Sequence, residues 1–252
     1  MFGNKPSENA RRIIEFLGCP CEYFPAGKNP AHIQSAYEQA LAEVKAEPYI
    51  PVIICADDTL AETLEMFEEE LEEGETLADR RRKMISQANG SADKWFTERL
   101  AELKAQFPPE QWEQLIGTVS ECAKGENNTH FSGYVDFASG KSGEVILAKI
   151  PVENPWEIFA WIPFGGWNEC PMPEEMLVIG KYWYERYKAI PAVISHDVLE
   201  FAAVPVKDKS AALGVALEQF AFCGDIVYQG TDSVGRLAGI LMQSSVWYFW
   251  WD

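Results

Sequence analysis

Cys170, His196 and Asp225 carry the side chains that a nucleophilic mechanism needs: a thiol to attack, an imidazole to take its proton and a carboxylate to orient the ring. His196 and Asp197 are chain neighbours, but in an extended stretch adjacent side chains point to opposite faces. Asp197 is then poorly placed to orient His196, and Asp225 is as good a candidate. A plainer role exists for each: Cys170 packs under Trp167, and His196 hydrogen-bonds loop backbone. We expect the plainer roles. Metal chemistry is not expected, because His32, His130 and His196 lie in different regions with no HxxxH or CxxC spacing. Cys19-Pro20-Cys21 lacks both the two-residue gap of a redox pair and a second Cys/His pair for zinc, so structural thiols are expected there. No cofactor is expected.

These residues belong to three polar islands. Gly165-Gly166-Trp167-Asn168-Glu169-Cys170-Pro171 reads as a strand-to-helix connection whose paired glycines permit positive φ and close backbone approach. Ser195-His196-Asp197-Val198-Leu199-Glu200 joins two strands, and Cys223-Gly224-Asp225-Ile226-Val227-Tyr228-Gln229-Gly230 joins two helices. Loops at strand ends are where α/β folds place their sites. The expected binding residues are therefore Trp167, Asn168, His196, Asp197, Tyr228 and Gln229, with Asn168, His196 and Tyr228 or Gln229 lining one concavity. Trp167 would serve as a stacking platform if the ligand is small.

The elements that must position these islands follow from apolar periodicity. Helices are predicted over 6–17, 31–44, 91–107, 109–122, 208–222 and 231–243. A further helix opens at Pro173-Glu174-Glu175, with Met176, Ile179, Trp183 and Tyr187 as its buried stripe. Another follows Asp58, with Thr59 and Glu62 at capping-box spacing and Leu60, Leu64, Phe67 and Leu71 on one face. Strands are predicted over 51–56, 131–137, 143–148, 156–163, 190–195 and 198–204, with 143–148 pairing back on 131–137 across Ser139-Gly140-Lys141-Ser142. The run Trp247-Tyr248-Phe249-Trp250-Trp251 is too apolar for a solvated tail and must be tied into the core as a strand. The expected fold is α/β (α+β as the alternative), a mixed β-sheet flanked by helices. A helix-rich region 1–130 carries a helical insert at 58–124, an aromatic-rich α/β region spans 131–252, and one core is continuous through both.

The chain has 21 basic and 39 acidic residues, a net charge of −18. Such a field repels nucleic acid and anionic membranes and attracts a basic protein partner. Eleven acidic residues and no basic ones lie between Asp57 and Asp79, immediately before Arg80-Arg81-Arg82-Lys83, which reads as a solvated, mutually attracting helical surface. Met1-Phe2-Gly3-Asn4-Lys5 lacks the apolar run of an export signal, and six scattered cysteines fit reduced thiols in a cytoplasm. Oligomeric state is left open.

Phe164-Gly165-Gly166-Trp167-Asn168-Glu169-Cys170-Pro171, Tyr182-Trp183-Tyr184-Glu185, His196-Asp197-Val198-Leu199-Glu200, the 223–230 loop and the 246–252 tail together resemble the bacterial family called domain of unknown function 4253. The resemblance is strongest over 150–252. Pro51-Val52-Ile53-Ile54 is similar to the family's N-terminal part, and 58–124 lies outside it. The resemblance implies a bacterial cytoplasmic protein, with a place among toxin-immunity or toxin-associated proteins, and brings no catalytic residues. Three functions are therefore carried forward. They are an interaction protein meeting a basic partner, a hydrolase or transferase using Cys170 and His196, and a small-ligand module built on Trp167.

Overall fold

Two strands apolar on both faces set the sheet's centre: β2 (Ile50–Cys55) and β5 (Val145–Ile150). Runs of this kind are stable only with neighbours on each side and cover above and below. The computed structural model describes residues 5–44 and 48–252; residues 1–4, read above as lacking an export signal, lie outside the described residues. Strands β1 (Cys21–Phe24), β6 (Ile190–Ile194), β7 (Val198–Ala202) and β8 (Val246–Trp250) complete a six-stranded sheet in the order β1-β5-β2-β6-β7-β8. Only β2 and β6 run parallel; the other neighbours are antiparallel. The fold is a mixed-sheet α/β fold, as the sequence predicts.

One face is covered by α1 (Glu8–Leu17), the insert helices α3 (Asp58–Glu69), α4 (Leu77–Gln87), α5 (Ala92–Ala105) and α6 (Pro109–Ile116), and the C-terminal helices α8 (Pro173–Tyr187), α9 (Lys209–Phe222) and α10 (Val234–Leu241). Its core draws Ile13, Leu64 and Phe96 from the first half and Trp183, Phe220 and Trp247 from the second. The opposite face is closed by α2 (Pro30–Glu43) and by Phe131 and Tyr134. Among the described residues, no helix is long and apolar enough to cross a membrane.

The aromatic tail is the sheet's last strand. Its pairing with β7 runs from Ala202 opposite Val246 to Val198 opposite Trp250, which sends Trp247 and Phe249 to the larger core. There the Trp183 ring stacks on Phe249 at 5.7 Å and meets Trp247 edge-on at 5.4 Å. Glu218 accepts from Trp183 Nε1 at 3.0 Å, Tyr182 Oη at 2.8 Å and Tyr187 Oη at 3.1 Å, so the buried indole keeps a partner.

Several expectations are corrected. Segment 131–137 is not a strand: only β3 (Val135–Asp136) pairs, with β4 (Lys141–Ser142), because the Ser132 and Gly133 amides donate to Glu200 instead of to a ladder. β5 consequently pairs with β1 and β2 at the sheet's centre, where both of its apolar faces are covered. Segment 156–163 is a 3-10 turn (Pro155–Glu157) followed by α7 (Ile158–Trp161). Asn154-Pro155 with Glu157 is a helix start, and the Glu157 carboxylate accepts from Asn154 N at 3.3 Å, which outweighs the segment's aromatic β-propensity. The first island thus joins two helices. Asp57, not Thr59, caps α3, its carboxylate accepting from Leu60 N at 2.7 Å, and Leu71 lies beyond that helix. Helix α6 stops at Ile116 because Gly117 turns the chain. The basic run lies in α4, and Arg81 within it is buried rather than solvated.

Candidate functional site

The first island folds back on itself through three left-handed residues, Gly165 (φ 106°), Gly166 (φ 87°) and Asn168 (φ 46°). Gly166 N donates to Pro171 O at 3.0 Å and Cys170 N to Trp167 O at 2.9 Å, closing the loop just before α8. Opposite it lies α5, and between them is a cavity of about 470 Å³ lined by Trp95, Glu98, Arg99, Glu102, Glu169 and Glu175, with Asn168, Cys170 and Met172 at its floor and rim. Residues 95, 98, 99 and 102 are spaced at helical intervals, so a single stripe of α5 forms one wall.

Charge in this groove is unbalanced. Among the described residues lining it Arg99 is the one cation, and it pairs with Glu169 across the groove and with Glu102 on its own helix at 3.4 Å. Glu175 accepts from Trp95 Nε1 at 2.7 Å and from Met172 N at 2.8 Å. Glu98 and Glu102 stay well exposed, at 63% and 65% of their side chains. Tyr228 stands close enough to Arg99 to feel its charge, although burial as the larger effect pushes its phenol up. The third island supplies no lining residue to the groove: a single π-helical turn over Ile226–Thr231 turns Tyr228 outward, its ring edge-on to Phe220 at 5.4 Å, and Gln229 Nε2 donates to Asp225 at 3.3 Å.

The sheet's last residues tie the three islands together. Trp251 N donates to Asp197 O at 3.2 Å, Asp252 N to the Asp225 carboxylate at 3.2 Å, and the Asn168 amide to Asp252 O at 2.6 Å. Cys223 Sγ reaches Trp250 O at 2.9 Å. Asn168, Asp197 and Asp225 thus have a structural duty in addition to any ligand contact. Trp167 is half-buried, edge-on to Phe164 at 4.9 Å, and it does not line the groove.

His196 faces elsewhere. It lies at the carboxyl ends of the parallel strands β2 and β6, in a second cavity of about 310 Å³ lined by Cys55, Asp57, Tyr134, Glu144 and Asp197 among others. His196 N donates to the Asp57 carboxylate at 3.2 Å, and its Nδ1 is 3.3 Å from Asp57 and 3.6 Å from Asp197 without a hydrogen bond to either. Asn168 therefore lines one groove, His196 lies in a different cavity, and Tyr228 and Gln229 line neither. Cys170 is buried in the first groove's floor, its thiol pushed up by burial and then by the neighbouring Cys223. The imidazole is not placed to serve as its base. Among the described residues no cluster of His, Cys, Asp or Glu could hold a metal ion.

Behind the second cavity, Glu200 is completely buried and accepts from Ser132 N at 2.9 Å, Gly133 N at 3.0 Å and Ser132 Oγ at 3.3 Å. Burial pushes its carboxyl from 4.5 up to about 7, against the downward pull of those donors. A carboxyl raised on folding favours the native state below its unfolded value, and that contribution is lost as pH rises through about 7. The shift corresponds to about 3 kcal/mol at most. Denaturant midpoints measured from pH 5 to pH 8 should fall more steeply for the native chain than for Glu200→Gln, which cannot titrate. The variant should also be less stable at pH 5, because its amide turns a donor toward a backbone N–H. Equal slopes would show that Glu200 does not titrate in this range.

Residues 146–252 match the model of a family described as domain of unknown function (DUF4253). That match includes the first island, the β6–β7 hairpin and the tail; the α5 stripe, which supplies the other wall of the groove, lies outside it. Comparison with curated protein sequences and with solved structures finds no significant match. Trp95, Glu98, Arg99, Glu102 and Asp57 are site residues that the sequence reading missed. The available signal was the α5 stripe, which mixes one aromatic with charges at helical spacing on the exposed side of a core-forming helix.

Proposed function

We propose that the protein is a binding protein, cytoplasmic and of bacterial type, that receives a basic segment of a protein partner in the groove between α5 and the 165–172 loop. The observation that carries this reading is the groove's lining: four glutamates and the Trp95 ring surround a single arginine that is already paired. An entering arginine or lysine would meet four carboxylates, of which Glu98 is held by the exposed Lys94 at 3.7 Å and Glu175 by neutral donors, together with an aromatic ring, a combination suited to cations. The net charge of −18 would steer such a partner and weaken its capture as salt rises. An immunity-like role, in which the partner is a basic toxin, is one form of the same reading.

The test is calorimetric titration with a short oligoarginine peptide. Glu98→Gln with Glu102→Gln removes two of the eighteen net charges, too few to alter a diffuse attraction appreciably. If the groove is the site, the pair should weaken binding about three- to tenfold. A control pair at Glu38 and Glu43, on α2 of the opposite face, should leave it unchanged. Equal loss from both pairs would reduce the interaction to diffuse electrostatics and overturn the proposal.

A further inference from the structure

The sheet ends at β1, which has β5 on one side and, among the described residues, no strand on the other. One residue before the strand, Pro20 O accepts from Lys149 N at 2.9 Å, which fixes the phase of the ladder. Bonded positions alternate in an antiparallel pair, so Glu22 and Phe24 bond to Leu147 and Val145. The N–H and C=O of Cys21 and Tyr23 therefore point away from β5. The far side of β5 agrees: Ala56 N donates to Glu144 O at 2.9 Å, so the even-numbered residues of β5 bond to β2 and the odd-numbered ones to β1. Among the described residues nothing bonds to the four outward groups of Cys21 and Tyr23. Nor is the edge roofed over, since Pro20 and Glu22 are exposed and Cys21, Tyr23 and Phe24 half-buried.

Side chains alternate along this edge. Cys21 and Tyr23 lean on the larger core, and Glu22 lies on the α2 side, at a groove of about 430 Å³ that Ala36, Gln39, Ala40 and Leu147 also line. Within that groove Lys149 already neutralises Glu43 at 3.1 Å. Glu22 takes no ion pair or side-chain hydrogen bond among the described residues, which leaves it as the groove's open charge. A second copy paired antiparallel about this position would set Glu22 against Glu22, and each copy brings a net charge of −18. Charge thus turns away the chain's own copies and favours a strand carrying a cation opposite Glu22.

We propose that β1 receives an antiparallel strand from a partner protein, an extended segment that reads apolar, then arginine or lysine, then apolar. The two apolar residues lie opposite Cys21 and Tyr23 and exchange both backbone bonds with each, so three residues satisfy all four outward groups. A parallel segment of that length would reach two of them. The basic residue falls opposite Glu22 in the non-bonded pair, where facing side chains stand closest. This surface is separate from the α5 groove, and neither proposal rests on the other. Oligoarginine, with no apolar residue to set beside Cys21 and Tyr23, is not its ligand.

The probe is the capped peptide Thr-Val-Arg-Val-Thr, added at up to millimolar concentration to the isotope-labelled full chain and followed by amide hydrogen exchange in nuclear magnetic resonance. In the free protein the Cys21 and Tyr23 amides should exchange faster than those of Glu22 and Phe24, and the peptide should slow them. The Val-Glu-Val analogue should bind about three- to tenfold more weakly, and Glu22→Lys, an exposed change, should reverse that order. N-methylation of both valines should abolish binding although their side chains are unchanged. Protected Cys21 and Tyr23 amides in the peptide-free chain would overturn the proposal, and protection that grows with protein concentration would assign the edge to a second copy. Failure of the peptide to slow these two amides, or an order of affinities that survives Glu22→Lys, would also overturn it.

Discussion

Deleting residues 247–252 yields a chain that does not fold. Trp247, Phe249 and Trp251 are 1%, 0% and 3% exposed. The loss of each buried aromatic typically costs about 3–5 kcal/mol, and a domain's whole stability is about 5–15 kcal/mol. The deletion also leaves β7 as an apolar sheet edge and frees Asn168, Asp197 and Asp225 from the groups they hold. Solubility and near-ultraviolet circular dichroism check this directly. Insoluble or molten protein is expected; a soluble truncated chain with a cooperative transition would show that the core stands without its last strand.

Gly165→Ala should be the most damaging single-methyl change in the site. A Cβ at Gly165 would lie 1.9 Å from Pro171 O, and the residue's φ of 106° is one that side chains rarely adopt. Because Pro171 O also accepts from Gly166 N, the loop cannot yield without opening. The backbone conformation alone costs about 1–3 kcal/mol, and the clash adds to it. Gly27→Ala is the control, with a φ of 86° and nothing within 4 Å. The expected outcome is a markedly lower denaturant midpoint for Gly165→Ala than for Gly27→Ala, with Cys170 becoming open to alkylation in the native protein. Equal midpoints and a protected Cys170 would mean that the loop relaxes freely.

The parts of this architecture legible in the sequence were those with local causes. The tail strand was legible because water does not tolerate Trp247 to Trp251 in a row, and α8 because proline, acids and a buried stripe agree. What failed had distant causes. Segment 131–137 alternates acceptably for a strand, but Glu200, far along the chain, takes its amides. Arg81 reads as one of four solvated bases until α4 lays it against Phe16 and Trp161. The site divided in the same way. The islands were visible as glycine-rich and polar breaks, and the left-handed turn at Gly165 and Gly166 follows from their type. That Asn168 would line a groove with Arg99, while His196 joins Asp57 in another cavity, depends on where the insert packs.

Arg99 is where the binding account is most exposed. If the groove takes cations, Arg99 already occupies it by pairing with Glu169, and it competes with any basic partner. Arg99→Ala should therefore bind a short oligoarginine peptide more tightly than the native chain, and adding Glu169→Gln should cancel the gain. The affinity of the two variants, measured by calorimetry at one salt concentration, decides the matter. The account predicts a gain of about three- to tenfold for Arg99→Ala, lost again in the double variant. Unchanged or weaker binding by Arg99→Ala would contradict it.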